Sequence, residues 1–241
     1  MPELILTVCN LTKRFGPYPV IEDLSFEIQQ GERKALFAPS GAGKTTLINI
    51  LSGLENHDQG SFYLSDSTPV TIFQEPRLFP FLTVEENIFL PFKAQGKSIS
   101  DDTRRSYQAW LDVCDLGRYT RNYPYQLSGG LKQKTALIRG LLSRPRFAML
   151  DEPFSSIDIL SRQAIMEHIL CTNPDLSLLF VTHQVDEITW LAQTVLYFRA
   201  PRLCQPVEIE AAIFQPLFTP ISFSAVEMQH SAMGAPFCNI T

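Results

Sequence analysis

An α/β fold built on a mostly parallel sheet is the architecture this sequence predicts, and three observations carry the prediction. Short apolar runs alternate with segments of helical period through most of the chain. Four of these runs, residues 34–39, 69–73, 146–150 and 176–182, have the character of buried strands. Polar residues follow them closely: Lys44, Gln74, the pair Asp151 and Glu152, and His183. A parallel sheet holds ligands beyond the carboxyl ends of its strands, so these side chains can converge.

Length and composition set the bounds. With 241 residues, 45% of them hydrophobic and 19% charged, the chain is long enough to bury a real core as one large or two small domains. A net charge of -5 argues against broad nucleic-acid binding, which depends on basic surface. The five cysteines, Cys9, Cys114, Cys171, Cys204 and Cys238, are scattered and form no C-x-x-C pair. They read as reduced, mostly buried thiols rather than a disulfide frame or zinc site. Acid and proline stand at the start where a signal peptide needs basic residues. No apolar run approaches the roughly 20 residues that span a bilayer. Membrane association is therefore expected only through a partner.

The first segment alternates as strands do, over residues 4–9 and 20–28 with a turn at Gly16-Pro17, and predicts an N-terminal antiparallel β-subdomain. Phe15 lies between these strands. Its ring fits either a core position or a stacking surface for a flat base.

Next comes Ala38-Pro39-Ser40-Gly41-Ala42-Gly43-Lys44-Thr45-Thr46, between the apolar run that begins at residue 34 and a helix-like segment that Gly53 stops. Gly41 and Gly43 lack a Cβ, so the backbone can curl around a phosphate and aim N–H groups at it, aided by the positive end of the following helix. Lys44 can reach the β- and γ-phosphates, and the Thr45 hydroxyl can hold Mg²⁺. Strand, glycine loop and helix occur in the order of a P-loop. The match to G-x-x-x-x-G-K-[ST] fails only at Ala38. A left-handed backbone there would cost alanine about 1–2 kcal/mol. With negative φ the cost vanishes, and the second case is favoured because the glycines nearest the phosphates remain.

Residues 60–64 and 69–73 read as further strands, the second followed by Gln74. An amide oxygen at a strand end can coordinate Mg²⁺ or an attacking water, although an isolated glutamine is usually plain surface. Strand signals then vanish, and residues of about 84–140 are expected to form a helical subdomain. Within it, Tyr107, Trp110, Leu111 and Cys114 fall at helical spacing between an acidic start at Asp101 and a stop at Gly117. Ser128 is a good N-cap for a helix whose face is Leu131, Thr135, Ile138 and Leu142. Gly129 and Gly130 at its start can offer backbone N–H groups to an anion or form a plain capped turn. Asp151 and Glu152 leave a buried strand together. Unpaired buried charge is costly, and a metal-holding acid beside a water-activating one accounts for both. His183 ends the next strand as Asp151 ends its own.

Taken together, these residues resemble the ATP-binding-cassette (ABC) ATPases. Residues 38–45 resemble the Walker A motif, 147–151 the Walker B and Leu127-Ser-Gly-Gly the family signature. Gln74 is similar to the Q-loop residue, Ser155-Ser-Ile-Asp158 to the D-loop, His183 to the switch histidine and Phe15 to the aromatic that stacks on adenine. The resemblance covers residues of about 4–210 as an ATPase domain and leaves 211–241 as a C-terminal tail.

The resemblance implies a head-to-tail homodimer binding two ATP. Each nucleotide would lie between Phe15 and the residues 38–46 of one subunit and Ser128, Gly129 and Gly130 of the other, with Asp158 nearby. Thr45, Asp151 and Gln74 would hold Mg²⁺, while Glu152, His183 and Gln74 would act on water and the γ-phosphate. Leu131, where the family usually has glutamine, and Leu78-Phe-Pro-Phe-Leu-Thr-Val-Glu-Glu-Asn87 are similar to importers of the nitrate, sulfonate and taurine group. That branch also includes importers of thiamine-precursor pyrimidines.

The implied function is an ATPase subunit at the cytoplasmic face of the membrane. It would drive a separate permease served by a periplasmic or extracellular solute-binding protein, without nucleic acid. A soluble ABC ATPase outside transport and a non-hydrolysing regulatory ATP-binding module are the alternatives. The apparent completeness of the catalytic set counts against the module, and the lack of tandem cassettes or a long coiled coil counts against the soluble enzyme.

Overall fold

A computed structural model describes residues 3–65, 69–199 and 201–217. Its centre is a six-stranded sheet in the order β5-β6-β7-β3-β8-β9. The strands are β3 (Arg33–Phe37), β5 (Val70–Ile72), β6 (Phe147–Asp151), β7 (Ser177–Val181), β8 (Thr194–Tyr197) and β9 (Val207–Glu210). All pairings are parallel except β8 with β9. A second, antiparallel sheet has the order β2-β1-β4, from β1 (Leu4–Phe15), β2 (Tyr18–Gln29) and β4 (Gln59–Leu64). Both predicted sheets are present.

The apolar runs read as they do because the central sheet is covered on both faces. Phe147 and Met149 of β6 join a core with the antiparallel sheet and α1 (Lys44–Leu51), whereas Ala148 and Leu150 join a core of helices. Successive residues alternate likewise in β7, where Leu179 and Val181 face the first core and Leu178 and Phe180 the second. Each of these side chains except that of Ala148 contributes about 1.5–3 kcal/mol by leaving water. The two cores clamp the sheet whose strand ends carry the site.

The helices of the second core are α2 (Val84–Ala94), α3 (Asp101–Cys114), α4 (Gly129–Leu141), α5 (Ile159–Thr172), α6 (Val185–Leu191) and α7 (Ala211–Leu217). Thr83 and Glu86 cap α2 reciprocally. Fully buried Asn87 accepts from the Phe79 amide and donates to the carbonyls of Phe79, Leu82 and Thr83, so it shapes the loop before α2. That loop leaves Phe79 and Phe81 exposed.

Two expectations shift. Helix α3 ends at Asp115, in the left-handed conformation at φ 51°, rather than at Gly117, which opens a short 3-10 turn. An aspartate tolerates that conformation better than most side chains. Among the described cysteines only Cys114 is buried, while Cys9 and Cys171 are exposed, so the thiols are not mostly core residues. Within the expected tail, residues 211–217 form α7. Its Phe214 is wholly buried, with its ring 5.2 Å from that of Phe37. The rest of the tail, residues 218–241 with Cys238, lies outside the described residues.

Candidate nucleotide site

Four neighbouring strands deliver the site. In the order β5, β6, β7, β3 they are followed by Gln74, by Asp151 and Glu152, by His183 and by the glycine loop ending at Lys44. Strand order in space thus collects residues scattered along the chain. Phe15, Val20, Ser40, Gly41, Gly43, Lys44, Thr45, Thr46, Glu152 and His183 line a cavity of about 390 Å³.

Gly43 caps α1 with φ 98°, and a Cβ there would meet Val20 Cγ1 at 2.4 Å. Only glycine lets the loop pass this close to β2. Gly41 is also left-handed, at φ 79°, whereas Ala38 is not among the residues with positive φ. Ala38 is instead buried in the core beside Ala42, so the missing first glycine carries no backbone strain. The Lys44 ammonium donates to the carbonyls of Ala38 and Pro39, both at 2.9 Å, which holds it inside its own loop. Burial lowers its pKa, while Glu152 and Asp151 oppose that shift.

Asp151 is 2% exposed, and burial raises its pKa despite a hydrogen bond with the Thr45 side chain and the nearby positive charge of Lys44. Its Oδ2 is buried without a hydrogen-bond partner. An orphaned carboxylate oxygen beside a threonine hydroxyl fits a divalent cation. Among the described residues no group of three His, Cys, Asp or Glu side chains forms a metal cage. That suits Mg²⁺, which typically takes one or two carboxylates and completes its shell with substrate phosphates and water.

Glu152 stands at φ 45°, and its amide donates to the Val181 carbonyl at 3.0 Å. His183 Nε2 donates to its Oε1 at 2.8 Å, and Gln74 Nε2 to its Oε2 at 3.3 Å. Both carboxylate oxygens are thereby aimed by neighbours from adjacent strands. A strained glutamate held on two sides is the pattern of a functional rather than a packing residue.

Other residues singled out from the sequence stand apart from this cavity. Ser128 caps α4 by accepting from the Leu131 amide, and Gly129 and Gly130 form its first turn. A Cβ on Gly130 would meet the Ser156 carbonyl at 2.7 Å, so the signature turn packs tightly on residues 155–158. Asp158 caps α5 through the Ser161 amide at 2.9 Å and does not line the cavity. Val20 is a lining residue the sequence did not disclose, because an ordinary strand valine carries no signal.

The family described as ABC transporter matches residues 21–155. The chain is 37% identical over 201 residues to the aliphatic sulfonates import ATP-binding protein SsuB 1 of Pseudomonas savastanoi pv. phaseolicola, covering 81% of each chain. It is 34% identical over 203 residues to the spermidine/putrescine import ATP-binding protein PotA of Nitrosomonas europaea, covering 79% of this chain and 56% of that protein's length. A solved ATP-binding subunit of an ABC transporter shares the fold with a TM-score of 0.78 at 24% identity, over 96% of this chain and 95% of the other. By family match, by relatives and by fold, the chain belongs to the ABC transporter family.

Proposed function

We propose that this chain is the ATP-binding and ATP-hydrolysing subunit of an importer. The observation that carries the proposal is the convergence of Lys44, Thr45, Asp151, Glu152 and His183 at the ends of adjacent strands, with Glu152 held by hydrogen bonds on both oxygens. The backbone of residues 40–46 would bind the phosphates, with Lys44 against the β- and γ-groups. Phe15, half exposed at the cavity rim, would stack on the base. Asp151 and Thr45 would hold Mg²⁺, with Gln74, whose amide lies on the Glu152 carboxylate, as the further candidate ligand; the ion would supply neutralisation of phosphate charge. Glu152 would accept the proton of the attacking water, and His183 would hold the carboxylate and face the γ-phosphate.

The signature residues Ser128, Gly129 and Gly130 are not part of the cavity of their own chain. A head-to-tail dimer brings them to the nucleotide of a second copy. No helix among the described residues is long and apolar enough to cross a membrane. The transport path would belong to a separate permease, as the import-subunit names of the relatives suggest. The exposed rings of Phe79 and Phe81, on the loop that Asn87 shapes, suit contact with such a partner. Attachment would then be peripheral, at the cytoplasmic face.

The named relatives divide between sulfonate and polyamine import, and identity is similar for both. Leu131 and residues 78–87, which resemble the nitrate, sulfonate and taurine branch, favour the sulfonate type. A small solute of the nitrate, sulfonate and taurine group is therefore the proposed cargo.

The test is Glu152→Gln in the full chain. ATP binding should persist while phosphate release stops. Normal turnover in this variant would overturn the assignment of the base.

A further inference from the structure

Gln74 reaches Glu152 from a segment that has no regular secondary structure of its own, residues 73–77 after β5. What holds that segment comes from α4. The Arg139 guanidinium donates through Nη1 to the Arg77 carbonyl at 2.9 Å and through Nη2 to the Pro76 carbonyl at 3.1 Å. Gln133, one and a half turns earlier and almost wholly buried, points its amide at the Phe73 carbonyl at 3.5 Å. On the outside, the Arg77 guanidinium lies 3.6 Å from the centre of the Phe73 ring. Arg77 is also one of the few residues with positive φ, at 45°, so the turn needs an outside restraint.

Plain packing does not account for Arg139. It forms no salt bridge among the described residues, and burial lowers its pKa. The half-buried guanidinium instead spends its fork on two backbone carbonyls of another segment, which an apolar side chain could not hold. Nor is it a cap, because in the last turn of α4 it bonds another segment and not the carbonyls of its own helix. The same helix starts at Ser128, Gly129 and Gly130, roughly 16 Å away at 1.5 Å per residue.

We propose that Arg139 is a positioning residue that ties the signature helix to Glu152: it fixes the backbone of residues 76–77 so that Gln74 stays on the Glu152 carboxylate. A shift of α4 at its signature end is then felt at the base through two carbonyl bonds and one amide. The inference rests on the ATPase reading of the site.

The test compares the full chain with Arg139→Ala, Arg139→Lys, Gln74→Ala and the double variants. Three quantities are read: kcat and KM for MgATP, ATP affinity, and the rate of tryptic cleavage after Arg77. Arg139→Ala should lower kcat about tenfold with ATP affinity within about twofold, and Arg139→Lys, keeping the charge but not the fork, should recover part of the loss. In the Gln74→Ala background the Arg139 substitutions should cost nothing more. Cleavage at Arg77 should quicken about tenfold in Arg139→Ala. Losses that multiply in the double variant, or cleavage at the wild-type rate, would overturn the proposal. If Arg139→Ala does not fold, the Arg139→Lys cycle decides by the same criteria. A folded wild type that hydrolyses no ATP would defeat the ATPase reading instead, and the cleavage rate would still report whether Arg139 holds the segment.

Discussion

His183 and Glu152 meet at 2.8 Å from the ends of adjacent strands, with the imidazole Nε2 donating to Oε1. The contact fixes one oxygen of a carboxylate whose backbone is already strained, so the histidine orients the proposed base before any substrate arrives. In the proposed mechanism the imidazole also faces the γ-phosphate, and removing a donor aimed at developing transition-state charge typically costs about 2.7–4 kcal/mol. His183→Ala should therefore lower kcat roughly 10²–10³-fold while ATP affinity stays close to wild type. Phosphate-release kinetics beside equilibrium nucleotide binding would check this. Undiminished turnover would remove His183 from the site.

Gly43 is the position of the loop least able to accept a side chain. Alanine there must adopt φ 98° and also push against Val20 Cγ1 at 2.4 Å. Gly43→Ala should destabilise the chain by about 1–3 kcal/mol and weaken ATP binding at least roughly tenfold. Adding Val20→Ala relieves the contact but leaves the dihedral strain, so recovery should be partial. Ala38→Gly should behave in the opposite way, with ATP binding unchanged and stability lower by about 0.5–1 kcal/mol, because Ala38 needs no positive φ. Denaturant melts and nucleotide titrations of the three variants would show whether strain or contact dominates.

Much of this site was legible because its chemistry lies at strand ends. The order of apolar run, glycines, Lys44 and helix exposed the loop, and the adjacent acids Asp151 and Glu152 had no bland explanation. What could not be read was contact across elements. Val20 gives no hint that it abuts Gly43, and Arg139 looks like any basic residue in the last turn of a helix. The sequence points to Gly117 as the stop of α3 because glycine is the commoner left-handed residue, yet Asp115 takes that role two positions earlier. The helical face expected for α4 was too narrow. Gln133, Lys134, Ala136 and Leu137 are buried as well, since α2 and the central sheet cover more of the helix than one stripe.

A buried ion pair outside the cavity sets a pH dependence. Glu187 is 1% exposed, 2.8 Å from Arg162 Nη1, and accepts a hydrogen bond from the Thr182 hydroxyl. Burial nevertheless outweighs these partners and raises its pKa. A carboxyl with a raised native pKa binds its proton more readily folded than unfolded. The ionised form thus weighs against the fold at neutral pH, and the cost is relieved as pH falls through the native value towards the unfolded one near 4.3. Glu187→Gln should flatten this part of the stability profile. It also strips Arg162 of its carboxylate, so at pH 7 it should be less stable by about 1–3 kcal/mol. Thermal melts between pH 4.5 and 8 would test both effects, and a Glu187→Gln profile parallel to wild type would refute the first.

The cysteines give the last prediction, because their environments differ sharply. The Cys114 thiol is buried at the end of α3, and burial pushes its pKa up to about 12 although Lys134 pulls the other way. At pH 7.5 that leaves roughly one thiol in 10⁴ or fewer as the reactive thiolate. Cys9 and Cys171 are exposed to reagent. Iodoacetamide should therefore label Cys9 and Cys171 in the native chain and reach Cys114 only on unfolding, as peptide mapping would reveal. Rapid native labelling of Cys114 would mean that the packing of α3 against the second core opens far more readily than its buried Trp110 and Leu111 imply.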